Sequence, residues 1–165
     1  MRFGKSLAAV YAALTMGLAS AQDVGKAAPA FDLPSSTAQN VRLTELKGRV
    51  VYVDFWASWC APCKQSFPWM NDMQAKYGAK GLTVIGVNVD KKREDAAKFL
   101  EGTPAKFAVA YDTTGKVAEA YQPKGMPTSF LIGPDGVVRA VHIGFRDSDR
   151  EELEKQIAGA LSGRK

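Results

Sequence analysis

The residue types and spacing that suggest chemistry lie in one short stretch. Both cysteines of the chain, Cys60 and Cys63, fall within FWASWCAPCKQSFP at residues 55–68. A C-x-x-C pair closes a loop so short that, as a disulfide, it adds little to stability through chain entropy. Redox exchange is the better reason for it. The other common use, half of a zinc site, needs two more ligands. The chain offers one histidine, His142, and no third cysteine. Neither a metal nor a cofactor is expected.

The surroundings of the pair favour a reactive thiolate. Residues 50–56, VVYVDFW, form a near-continuous apolar run that reads as a buried strand. Residues 61–77 have helical spacing, with Phe67, Met70, Met73 and Tyr77 on one face and Pro68 as a kink. Cys60 therefore stands where a strand ends and a helix begins. Unpaired N–H groups and the positive end of the helix dipole favour its ionised form there, and the thiolate is the nucleophile of disulfide exchange. Cys63, one helical turn on, is placed to resolve a mixed disulfide. Pro62 suits the first helical turn and stiffens the intervening dipeptide. Trp59 would shield the sulfur and offer apolar contact to a protein substrate. Asp54 lies inside the buried run, flanked by apolar residues on both sides. An unpaired carboxyl there is costly and its pKa rises. Placed beneath the cysteines, it would take the proton of Cys63.

The elements that must hold these residues follow one another as strand and helix. A short hairpin is expected at residues 31–33 and 41–43. A second buried strand is expected at 82–89, helices at 92–100 and 114–121, and a strand at 107–111. Two strands, 129–132 and 137–143, are joined by a Pro-Asp-Gly turn. A closing amphipathic helix spans 148–161. Strand–helix–strand implies a parallel pair with a right-handed crossover, and the late hairpin adds antiparallel strands. The expectation is an α/β domain of three layers with a mixed central sheet, flanking helices and an N-terminal β-hairpin extension.

Composition sets the remaining bounds. At 46% hydrophobic and 24% charged, the chain has room for one globular domain with a proper core. Arg2 and Lys5 precede sixteen uncharged residues, 6–21, that end in Ala19-Ser20-Ala21. This reads as a signal peptide, residues 1–21, cut before Gln22 to leave a domain at 22–165. The alternative, an uncleaved anchor, falls short of the roughly 20 apolar residues that span a bilayer. No cysteine sits near the cleavage point to carry a lipid. The net charge of +5 is too mild to argue for nucleic acid. Lys91-Lys92-Arg93 reads as a solvated helix start.

VDFWASWCAPCK, with Pro68 five residues after the second cysteine, resembles the thioredoxin active-site stretch, and GMPTSFLIGPDGVV resembles that superfamily's cis-proline loop and following hairpin. The resemblance covers roughly residues 28–161. It implies a thioredoxin-like fold, Cys60 as attacking and Cys63 as resolving cysteine, and Pro127 as the cis-proline. It also implies a Met126 backbone that pairs with an extended substrate segment. The leader, the N-terminal hairpin and the added segment around 91–111 are similar to the exported TlpA/ResA-like branch. That implies a periplasmic reductase, monomeric, acting on cysteine-containing exported proteins such as apocytochrome c or copper-site proteins. It would be recharged by a membrane thiol-electron transporter of the CcdA/DsbD type. Two departures stand out: Ser66 replaces the branch's usual glutamate, and Asp54 its usual asparagine. Gly86 also falls where thioredoxins tend to carry a lysine facing that aspartate. The dipeptide Ala61-Pro62 lacks the histidine of strongly oxidising members, which favours a reductase over an oxidase. A copper chaperone using Cys60, Cys63 and His142 is a second reading. A peroxidase is a third, disfavoured because ASWC lacks the Pro and Thr that precede a peroxidatic cysteine.

Overall fold

The computed structural model describes residues 24–163; the expected leader and its cleavage point lie outside them. The elements are β1 (Asp32–Leu33), β2 (Val41–Arg42), β3 (Val50–Trp56), α1 (Ala61–Tyr77), β4 (Leu82–Asn88), α2 (Arg93–Gly102), β5 (Ala108–Tyr111), α3 (Lys116–Tyr121), β6 (Thr128–Ile132), β7 (Val138–Ile143) and α4 (Arg150–Ser162). The main sheet has five strands in the order β5-β4-β3-β6-β7. β3, β4 and β5 run parallel, while β6 is antiparallel to β3 and β7 to β6. β1 and β2 form the separate antiparallel hairpin.

Every residue of β3 is buried, because β3 is central and both its faces are covered. Its side chains alternate between two cores. Val50, Tyr52 and Trp56 pack with Phe67, Met70 and Met73 of α1, Phe99 of α2, and Leu153 and Ile157 of α4. Val51, Val53 and Phe55 face Phe31, Leu33, Leu43 and Tyr121 of the N-terminal region and α3. The result is the expected three layers, with α1, α2 and α4 on one side of the sheet and α3 and the hairpin on the other.

Boundaries move where local chemistry intervenes. Leu43 opens a 3-10 turn, Leu43–Leu46, instead of extending the hairpin. The helix expected from 114 starts at Lys116, because Gly115 takes a left-handed φ of 74° and the Asp112 carboxylate accepts the Ala118 N–H at 2.8 Å. A 3-10 turn, Asp147–Asp149, precedes α4. α1 is assigned without interruption through Pro68, which is exposed. Arg93 is not simply solvated: its guanidinium lies 4.7 Å from the centre of the Tyr111 ring.

One arrangement had no counterpart in the sequence reading. The N-terminal segment crosses the second core and pairs with both outer strands. Gly25 N–H donates to Val138 and Ala28 N–H to Gly136 on the β7 side, while Ser36 N–H donates to Val109 and Pro34 accepts from Tyr111 on the β5 side. Outer strands otherwise present unpaired backbone groups, and this strap satisfies part of them. Tyr121 fastens it from within, its hydroxyl donating to the Pro29 carbonyl at 2.8 Å.

The second core rests on Phe130, which is fully buried between Phe55 and Tyr121 at centroid distances of 5.7 and 5.0 Å. Phe130→Ala is expected to lower stability by about 3–5 kcal/mol, measured by urea unfolding of the oxidised protein.

Candidate active site

The site is assembled at one end of the sheet. β3 ends at Trp56, a turn follows, and α1 begins at Ala61. Cys60 is the N-cap of α1, and its sulfur accepts the Cys63 N–H at 3.2 Å. That bond satisfies one of the orphan donors of the helix start with the atom that would carry negative charge in the reduced protein. Cys60 and Cys63 form a disulfide, with a Cα–Cα distance of 5.4 Å. Cys60 is 4% exposed and Cys63 wholly buried, so the N-terminal sulfur is the one a substrate can approach. Trp59, beside it, is 71% exposed, and Pro62 is exposed on the first turn.

The loop before β6 lies at the same end. Phe55 pairs with Thr128, so Pro127 sits beside the end of β3. The Met126–Pro127 peptide bond is cis. Pro127 is buried and its carbonyl accepts the Gly144 N–H at 2.7 Å; the Thr128 hydroxyl donates to the Gly125 carbonyl at 2.7 Å. Met126 packs against the core that contains both cysteines. The structure thus gathers Trp59, Cys60, Pro62, Cys63, Met126 and Pro127 around one end of β3.

Asp54 belongs to the same face of β3 as Tyr52 and Trp56, the face on which α1 and Cys63 pack. It is 2% exposed, and its Oδ2 has no hydrogen-bond partner among the described residues. Burial holds its carboxyl well above the ordinary range for an aspartate. Its cross-strand neighbours are Gly86 on β4 and Ser129 on β6. Gly86 therefore does occupy the position facing Asp54, and it brings no cation. A Cβ built there would lie 3.0 Å from both Trp56 Nε1 and Phe107 Cε2, so two aromatic rings close over the glycine. The Trp56 N–H is itself buried without a partner among the described residues. Tyr52 is pushed above the ordinary phenol range by burial, with the Asp54 charge adding. Ser66, where a glutamate would have placed a second carboxyl, is buried and donates from its hydroxyl to the Cys63 carbonyl at 3.1 Å.

One sequence candidate, His142, separates from this cluster. His142 lies on β7, two strands from β3, or roughly 10 Å at ordinary strand spacing. Its Nε2 is 3.2 Å from Asp149 Oδ2, and it is not brought to the cysteines. The sequence reading also missed a buried polar group next to the site. Asp90, just past β4, binds Ser58 of the turn that precedes Cys60, and Asn88, the last residue of β4, binds Asp90. The available signal was Asn-x-Asp closing an otherwise apolar strand, a pattern with little to distinguish it from an ordinary strand end.

The raised Asp54 pKa has a defined consequence for stability. The folded state keeps its proton to higher pH than the unfolded chain, so the unfolded state binds fewer protons above about pH 4. Stability contributed by the protonated carboxyl is present below that pH and is lost as pH rises through the folded pKa. Oxidised Asp54→Asn is expected to lack this decline and to be more stable than the wild type at pH 7. Urea unfolding between pH 4 and 9 measures it; parallel curves for the two proteins would contradict it.

Comparison with known proteins agrees with this geometry. The AhpC/TSA family profile matches residues 24–141. The chain is 36% identical over 131 residues to the thiol-disulfide oxidoreductase ResA of Bacillus cereus, a match covering 79% of this chain and 75% of that protein. It is 34% identical over 135 residues to ResA of Bacillus subtilis, covering 82% and 75%. Among solved structures, a thiol:disulfide interchange protein DsbE from Chlorobium tepidum superposes with a TM-score of 0.82 at 56% identity, covering 84% of this chain and 98% of that one. The thioredoxin domain of a thiol-disulfide oxidoreductase from Bacteroides vulgatus gives 0.73 at 28% identity, covering 82% and 98%. With a thioredoxin-like fold and a Cys60–Cys63 pair at its site, the chain belongs to the AhpC/TSA family and is one of its thiol-disulfide oxidoreductases.

Proposed function

We propose that the protein is a disulfide reductase for exported proteins. The observation that carries the direction is the sparse stabilisation of the Cys60 sulfur: one N–H, from Cys63, and no charged donor from Ala61 or Pro62 between the cysteines. A thiolate stabilised by the helix start but by no charged neighbour in the dipeptide, unlike that of strongly oxidising members, makes the dithiol the better electron donor and the disulfide the more stable state.

The reaction runs in two displacements. The Cys60 thiolate attacks one sulfur of a substrate disulfide; that S–S bond breaks, and the other substrate sulfur leaves as a thiolate. Cys63 then attacks the Cys60 sulfur. Its proton passes to Asp54, the Cys60–substrate bond breaks, and the second substrate sulfur departs. Two electrons have moved to the substrate, and the Cys60–Cys63 disulfide remains. Asp54 suits the second step because its raised pKa brings a carboxylate nearer to the pH at which it exchanges protons with a thiol.

Trp59, Pro62 and Met126 supply the contact surface. Neither the N–H nor the carbonyl of Met126 has a hydrogen-bond partner among the described residues, which leaves both to pair with a substrate strand beside Pro127. The sequence of residues 1–21 supports export to the periplasm, and among the described residues no helix is long and apolar enough to cross a membrane. Clients on this reading are cysteine pairs of apocytochrome c or of copper-site proteins. The working state is a monomer recharged through a membrane thiol transporter of the CcdA/DsbD type.

Variants separate the two cysteine roles. Cys63→Ser is expected to accumulate a mixed disulfide with a disulfide-bonded model substrate such as insulin, and Cys60→Ser to accumulate none. Asp54→Asn should leave the first attack unchanged and slow release from the mixed disulfide about a hundredfold or more, the lower end of the usual range for loss of a general base. Rapid-quench mass spectrometry reads both steps; trapping by Cys60→Ser instead would reverse the assignment.

A further inference from the structure

We infer that Asp90 is a positioning residue for the redox turn: its buried carboxylate holds residues 57–59 so that the Cys60 sulfur stays at the N-terminus of α1. The inference rests on the reading of Cys60 as an attacking thiolate.

Asp90 is 6% exposed, and its carboxylate bonds both Ser58, in the turn, and Asn88, in the sheet. Its Oδ2 accepts the Ser58 N–H at 2.9 Å and an Asn88 Nδ2 hydrogen at 2.7 Å; its Oδ1 accepts the Ser58 hydroxyl at 3.0 Å. Asn88, fully buried, accepts the Asp90 N–H on its Oδ1 at 3.2 Å. The backbone locks this unit to the sheet: Val89 N–H donates to the Trp56 carbonyl at 3.0 Å, and Asp112 N–H to the Asn88 carbonyl at 2.8 Å. A buried carboxylate is tolerated only where several donors replace its water. Two of the three donors here come from Ser58, in the turn two residues before Cys60.

That turn has few other anchors. Its own closing bond is Cys60 N–H to the Ala57 carbonyl at 3.1 Å. Trp59 projects into solvent and holds nothing in place. Thiolate stabilisation by a helix start falls off within the first turn, and a hydrogen bond weakens steeply once it is bent or stretched. The sulfur therefore benefits from the Cys63 N–H only while the turn is held. Other charges facing this end are Asp54 beneath the pair, Lys64 on α1, and Asp95 and Lys98 on α2, which line one groove with Ser58. All are unchanged in the variants below.

Positioning and charge make opposite predictions. If the Asp90 charge alone mattered, its removal would lower the Cys60 pKa, since a nearby anion disfavours a thiolate. If positioning dominates, Asp90→Ala releases the turn and the Cys60 pKa rises toward an ordinary thiol value of about 8.5. Asp90→Asn is the conservative control. Its oxygen can keep the Ser58 and Asn88 donors, and its amide can donate to the Ser58 hydroxyl, which then accepts.

The test is the pH profile of iodoacetamide alkylation of the fully reduced full-length chain, mapped to Cys60 by mass spectrometry, with Tm measured alongside. Asp90→Ala is expected to raise the Cys60 pKa and slow alkylation below that pKa at least about threefold, the equivalent of half a unit. Asp90→Asn should stay at or slightly below the wild type, and Ser58→Ala should move in the direction of Asp90→Ala by less. A folded Asp90→Ala with an unchanged or lowered Cys60 pKa overturns the inference, even if its Tm falls. Should Asp90→Ala not fold, Ser58→Ala decides: a raised pKa supports positioning and a wild-type value overturns it. A wild-type Cys60 that itself titrates near 8.5 would instead defeat the thiolate reading, whatever the difference between variants.

Discussion

The hydrogen bond from the Cys63 N–H to the Cys60 sulfur is the contact on which the rest of the site depends. It exists because a buried central strand runs directly into a helix, leaving the first sulfur as the helix cap and the second inside the first turn. Burial then sorts the pair. The cap keeps a small exposure, 4%, through which a substrate disulfide can reach it, and its partner is wholly buried beneath. Both the order of the two displacements and the need for a buried proton acceptor follow from that asymmetry.

The acceptor is an unusual one. Asp54 sits in the most protected strand of the sheet with glycine opposite it on one side and serine on the other. A lysine at residue 86 would offset the cost of the charged carboxylate, but Trp56 and Phe107 occupy the volume any side chain there would need. Desolvation is therefore left as the dominant influence on Asp54. The glutamate that the TlpA/ResA-like branch usually places one turn beyond the second cysteine is also replaced, by a serine bonded to the backbone of Cys63. Asp54 thus stands as a single buried carboxyl at the thioredoxin position, with Gly86 and Ser129 as its cross-strand neighbours.

Much of this was legible in the sequence because it rests on local rules. The apolar run VVYVDFW reads as a buried strand, and C-x-x-C at the start of a helical pattern, with no third cysteine and one histidine in the chain, reads as a reactive sulfur. The placement of Gly86 against Asp54 follows from aligning two neighbouring parallel strands, and the register bears it out. What stayed hidden depends on long-range pairing. Nothing in VGKAAPAFDLPSS reveals that residues 25–36 strap both outer strands, since their bonds are made by backbone groups that carry no residue identity. Asp90 was hidden for a similar reason. Its partner Ser58 is 32 residues away, and an aspartate after a strand reads as an ordinary loop residue until the fold brings the two together.

The most direct test of the account is the reduction potential of the Cys60–Cys63 couple, obtained by equilibrating the protein with dithiothreitol or glutathione buffers and quantifying the two states. With one backbone N–H on the Cys60 sulfur and no charged donor between the cysteines, the value is expected near that of thioredoxin, about −270 mV, or lower. A value near about −120 mV would mean that the thiolate is strongly stabilised; the protein would then be an oxidant, and the direction of electron flow argued from the Ala61-Pro62 turn would be wrong.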